Sequence, residues 1–295
     1  MRVVTLLPAA TEIVATLGGA AHLVGISHEC DYPASVQHLP RVTATPVDIH
    51  APGAGIDAEV RRLGAAGQPV IGIDAHLLEQ LAPDLVITQG LCEVCAVANG
   101  QVQRLAGALR PEPRVLSLEA RDLEGIFTDI RRVGAALDLD GEAEELVLGL
   151  ESRLARLRAR RPAKETRVLC VEWLEPLYLA GHWVPELVGA AGGRDVGANA
   201  GSHSARHEWR DLGSLEPDHA IVMLCGFGVS RARAELDALD DAEALGFLHR
   251  IPVSILDGNA YTSRPGPRVV DGAEKIHAAL MGRSTPDVAR WQPLR

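Results

Sequence analysis

The stretch Val3-Val4-Thr5-Leu6-Leu7-Pro8-Ala9-Ala10-Thr11-Glu12 opens the chain and decides how the rest is read. Its apolar run could begin a secretory leader or a buried strand. Pro8 breaks the run and Glu12 falls where an export signal stays apolar, so the stretch reads as a first β-strand followed by a helix over residues 11–17. Gly18-Gly19 supplies the helix stop. With no leader in this reading, the expected location is cytoplasmic.

Working outward, short β-branched runs alternate with helical patterns, the signature of parallel sheets with crossover helices. Strands are expected at residues 3–7, 23–27, 84–88 and 114–118. Helices are expected at 58–66, 75–81 and 97–109, with Asp57 and Asp74 as N-caps. From residue 122 to 161 the pattern is helical alone: Leu123, Ile126, Ile130, Val133 and Leu137, then Leu146, Leu150, Leu154 and Leu157. The alternation resumes with strands at 167–171, 177–180, 220–224 and 253–256 and helices near 184–191, 236–244 and 269–281. The expected fold is therefore α/β, with two lobes of mostly parallel sheet joined by a long helical segment and a ligand cleft between them. The domains are 1–120, 121–161 and 162–295.

The totals agree with a soluble globular chain: 295 residues, 47% hydrophobic and 23% charged, too long for one ordinary domain. Net charge is −10 and no basic stripe stands out, so nucleic acid is not an expected partner. The arginine-dense residues 153–161 read as a solvated helix end. No run approaches the roughly 20 apolar residues that cross a bilayer, so no membrane partner is expected either. The five cysteines, at 30, 92, 95, 170 and 225, read as thiols or metal ligands in a reducing compartment, with Cys170 a small buried hydrophobe inside a strand.

Open parallel sheets bind ligands beyond the carboxyl ends of their strands. The segments found there are His28-Glu29-Cys30-Asp31-Tyr32, Cys92-Glu93-Val94-Cys95, Glu172-Trp173, Gly181-His182-Trp183, Cys225-Gly226-Phe227 and Asn259-Ala260-Tyr261 with Arg264 and Arg268 after it. Of ten aromatic residues, Tyr32, Trp173, Trp183, Phe227 and Tyr261 fall in these segments and Tyr178 lies nearby. Flat side chains on loops suit a large, partly apolar ligand, or they plug an interface. His28 and His182 are candidate axial ligands to cobalt or iron in a tetrapyrrole-like ring. Glu29 and Glu172 are candidates for ligand amides, and Arg264 for a phosphate or carboxylate. Cys30, Cys92 and Cys95, with His28 or Cys225, make a candidate zinc or iron–sulfur centre, though the second CxxC of a zinc ribbon is missing. No phosphate-cradling loop and no nucleophile elbow appears, Gly201-Ser202-His203 included, so catalysis is not expected.

The opening decapeptide, Leu23-Val24-Gly25-Ile26-Ser27, Pro83-Asp84-Leu85-Val86-Ile87 and the long helical segment resemble the helical-backbone substrate-binding proteins that capture vitamin B12, siderophores or haem for ABC importers. The similarity spans nearly the whole chain. The strand-end segments around His28, Cys92, His182 and Asn259 look like the leaderless subgroup called cobalamin-binding proteins. The resemblance implies a non-catalytic binder of a corrinoid or related large cofactor, with Glu12 and Glu93 among its ligand-binding residues. A metal or iron–sulfur protein, and a haem or siderophore binder, are the alternatives. Importer relatives carry a docking glutamate where this chain has His76, so an ABC permease is not an expected partner.

Overall fold

A computed structural model of the chain describes residues 1–90, 99–162 and 164–292. Two compact units emerge: Met1–Ala51, Ala58–Ala120 and Glu124–Leu148 form the first, and Pro52–Asp57, Arg121–Leu123 and Gly149–Arg295 the second.

The first unit is built on a four-stranded parallel sheet in the order Leu23–Gly25, Val3–Thr5, Leu85–Gln89, Arg114–Leu118. Val3, Val4, Val86 and Ile87 are fully buried, as the central strands of a parallel sheet covered on both faces must be. Leu6, Val42, Leu78 and Val102 pack with Val4 and Val86. Pro8–Thr16 forms the first helix, and Gly18 takes the left-handed conformation (φ +82°) that ends it. Asp74 caps Ala75–Leu81, its Oδ1 accepting the Leu77 N–H at 2.9 Å. Asp57, in contrast, is no cap. The helix begins at Gly53, because Pro52 starts the turn and its carbonyl accepts from Gly55 and Ile56.

The helical stretch resolves into Leu123–Ala136 and Asp140–Arg158, with Asp138 left-handed between them. Gly134 permits the tight turn, since a Cβ there would sit 2.5 Å from that of Ala143.

In the second unit the strands run Ala205–Arg206, Tyr178–Leu179, Thr166–Trp173, His219–Val222, Val253–Leu256, Val288–Trp291, with Gly193–Asp195 also paired to Thr166–Trp173. The three central strands are parallel; the outer pairings with Tyr178–Leu179 and Val288–Trp291 are antiparallel. Cys170 is fully buried in the central strand. One face carries Leu169, Val171, Ala220, Val222, Phe227, Trp209 and Trp291. Each such large side chain contributes about 1.5–3 kcal/mol on burial. The single helix expected at 236–244 is two helices, Val229–Asp237 and Ala242–Leu248. Asp241 divides them by capping the second, accepting from the N–H groups of Glu243 and Ala244.

Candidate ligand-binding site

In the second unit, an extended strand sends successive side chains to opposite faces, and its end at Glu172-Trp173 separates two clusters. Trp173 meets Phe227 with ring centroids 5.2 Å apart. The Arg231 guanidinium lies 4.7 Å over the Phe227 ring and pairs with Glu235 at 2.9 Å. Glu235 Oε2 also accepts the Gly53 N–H at 2.9 Å.

Glu172 belongs to the other cluster. Its Oε2 accepts from Ser204 Oγ at 2.5 Å, and Ser204 Oγ accepts the Gly181 N–H at 3.2 Å. His182 follows with φ +53°. Its ring lies against Trp183 at 5.6 Å and edge-on to His203 at 5.2 Å. Burial, with the charges of His203 and Arg121, pushes the His182 imidazole below its usual pKa and favours the neutral ring. Trp183 is buried and donates its indole N–H to the Thr262 carbonyl at 2.8 Å.

Farther along, Asp257 caps Gly258–Tyr261 through the Ala260 N–H. Burial raises its carboxyl pKa. Arg264 is buried and donates to Asn259 Oδ1 at 2.8 Å. The Tyr261 ring lies under Lys275 Nζ at 4.5 Å and Arg268 at 5.8 Å. Cys225 is half-buried on its loop.

In the first unit, Thr43 Oγ1 bonds His28 Nδ1 at 2.7 Å and accepts the His28 N–H at 3.0 Å. Burial, reinforced by Arg41, lowers the pKa of this imidazole too. Cys30 is buried, its Sγ 3.0 Å from Thr11 Oγ1, and Glu12 is buried in the same helix. Glu29 and Tyr32 are exposed.

Cys92, Glu93 and Cys95 lie outside the described residues. Among the described residues no group of three or more His, Cys, Asp or Glu is placed to hold a metal ion. The Cys30 sulfur engages the Thr11 hydroxyl. The zinc or iron–sulfur centre expected from the sequence finds no support in the described residues.

Among the described residues three buried ring nitrogens lack a hydrogen-bond partner: His28 Nε2, Trp173 Nε1 and His182 Nε2. All three belong to residues that the sequence marks as ligand-binding. Sequence reasoning missed Ser204, His203, Arg121 and Glu235. Ser204 follows Gly201-Ser202-His203, a run whose one sequence signal, a nucleophile elbow, lacks its strand–turn–helix setting.

The chain belongs to the periplasmic binding protein family, whose model matches residues 3–243. Its α/β fold is that of solved binding proteins. A periplasmic heme binding protein from Pseudomonas aeruginosa superposes with a TM-score of 0.73 at 21% identity, covering 100% of this chain and 99% of that one. The periplasmic heme binding protein HutB of Vibrio cholerae gives 0.68 at 19% identity, covering 95% and 98%. The periplasmic vitamin B12 binding protein BtuF of Vibrio cholerae gives 0.64 at 19% identity, covering 95% and 96%. No curated protein sequence matches the chain.

Proposed function

We propose that this protein is a cytoplasmic, non-catalytic binder of a corrinoid. The observation that carries the reading lies in the second unit, where the buried ring nitrogens of Trp173 and His182 have no hydrogen-bond partner. A buried polar atom without a partner costs roughly 1–3 kcal/mol, and a ligand that supplies the partner recovers it. An imidazole kept neutral by burial offers a nitrogen lone pair to a ring-bound cobalt or iron. Trp173 and Phe227 add aromatic surface for a flat, partly apolar molecule.

Haem is the second reading. It is favoured by the same neutral imidazole and by two structural neighbours that are periplasmic heme binding proteins. A siderophore, as a third reading, would leave the imidazole without a metal to meet in a planar ring. Delivery to an ABC permease is not part of the proposal: the position of the importers' docking glutamate is the exposed His76, which meets Gln80 at 2.9 Å. Fractionation of the native cell tests the location, and recovery of the protein outside the cytoplasmic membrane would overturn it.

The ligand test is a titration of purified protein with cobalamin, cobinamide and haem, followed by visible spectrum and melting temperature. A shift with a corrinoid supports the first reading. A shift with haem alone replaces it with the second, and no shift with any corrinoid at tens of micromolar ends it.

A further inference from the structure

His182 stands in a left-handed conformation that non-glycine residues rarely adopt. The other described non-glycine residues with positive φ, Ala82, Asp138 and Glu216, each follow the end of a helical segment. His182 instead precedes one, Val184–Ala191. Backbone strain persists where surrounding contacts over-determine it, and here those contacts come from one loop.

The His182 N–H donates to the Ser202 carbonyl at 2.6 Å, and the His182 carbonyl accepts the Gly201 N–H at 2.9 Å. Gly181 lies so close to this loop that a Cβ would fall 2.3 Å from the Ser202 carbonyl oxygen. The His203 ring completes the enclosure on the imidazole. The loop is tethered at both ends. Asp195 Oδ1 accepts the N–H groups of Gly197 and Ala198 at its start. At its end Ser204 Oγ relays between the Gly181 N–H and the Glu172 carboxylate.

We propose that Glu172, acting through Ser204, is a positioning residue that locks the loop over residues 199–204 onto Gly181-His182 and so fixes where the His182 imidazole stands. The carboxylate turns the serine hydroxyl outward as a donor, which leaves the oxygen lone pairs for the Gly181 amide. A carboxylate makes this a charge-assisted bond, the stronger kind. The role given to the imidazole rests on the ligand reading above, but the lock itself can be read in the protein without ligand.

Two measurements separate the lock from the ligand reading. In ligand-free protein, Ser204→Ala is expected to speed hydrogen exchange of the His182 amide about tenfold and to move the His182 ring resonances. Ser204→Thr, which keeps the hydroxyl, restores both. In the ligand arm, with cobinamide or haem as probe, Ser204→Ala and Glu172→Gln weaken binding and alter the visible band of the bound metal centre, while Ser204→Thr preserves it. Unchanged exchange and ring resonances in Ser204→Ala overturn the proposal whatever the ligand arm gives. Failure of the wild-type protein to bind any probe removes the ligand reading and leaves the lock to stand or fall on the exchange data.

Discussion

Two titrating groups in the second unit, one buried and one half-buried, are set against each other, and separating them gives a quantitative test of the fold. His219 is buried on the central sheet with Nε2 2.9 Å from Ser254 Oγ. Burial, then the charge of Arg290, lowers its pKa from 6.5 to about 4. Asp195 lies beside Cys170, and burial raises its pKa from 3.8 to about 6 against the opposing hydrogen bonds from Gly197 and Ala198. As pH falls from 6.5 to 4 the unfolded chain protonates its histidine first, so His219 removes stability. As pH falls from 6 to 3.8 the folded chain protonates Asp195 first, so that group adds stability, which is lost again as pH rises through 6. At 1.36 kcal/mol for each pKa unit, each effect amounts to about 3 kcal/mol over its window. In the wild-type protein the two nearly cancel.

The perturbation is His219→Gln, which keeps a hydrogen-bonding partner for Ser254 but does not titrate, with Asp195→Asn as its mirror. Thermal melts followed by circular dichroism from pH 7.5 to 4 provide the assay. Relative to wild type, His219→Gln is expected to gain about 3 kcal/mol as pH falls, or about 6 °C at roughly 2 °C per kcal/mol. Asp195→Asn is expected to lose a similar amount over the same interval, and the double variant to follow the wild-type profile. A gap between His219→Gln and wild type that stays constant within about 1 °C across this range would refute the reasoning.

Three further predictions follow from the packing and the cysteines. Gly181→Ala forces a Cβ against the Ser202 carbonyl and should cost about 1–3 kcal/mol, whereas Gly189→Ala, in a helix with nothing within 4 Å, should stabilise by about 0.5–1 kcal/mol; denaturant melts compare the two. Trp183→Phe removes the bond to Thr262 and should cost about 1–3 kcal/mol by the same assay, and a cost near zero would refute the part given to that bond. Protein purified without chelator should carry zinc or iron well below one per chain by elemental analysis, and one metal per chain lost in Cys92→Ser would reinstate the thiolate centre.

The parallel framework was legible because its signals are local. Val3–Thr5 and Leu85–Gln89 are β-branched, apolar-led runs buried along their whole length, and Asp74 announces its helix by capping it. Elements that depend on pairing alone were not legible. Gly193–Asp195, Ala205–Arg206 and Val288–Trp291 carry little strand character and exist because they lie against Thr166–Trp173, Tyr178–Leu179 and Val253–Leu256. The break between Val229–Asp237 and Ala242–Leu248 was hidden because Asp240-Asp241 sits inside a helical apolar rhythm. At the site, strand ends pointed to His182, Glu172 and Trp173. Composition alone did not show that Trp183 and Arg264 bond to Thr262 and Asn259. Ser204 was invisible because its part depends on a contact with Glu172 across 32 positions.

The central claim is that the buried imidazole of His182 meets the metal of a ring-shaped ligand. The most direct test is the visible spectrum of the purified protein titrated with cobinamide and with haem, for wild type and His182→Ala side by side. The account predicts a saturable spectral shift in the wild-type protein that is lost or moved to a different band in His182→Ala. A wild-type protein that leaves both spectra unchanged, or a His182→Ala variant that reproduces the wild-type complex, would contradict it.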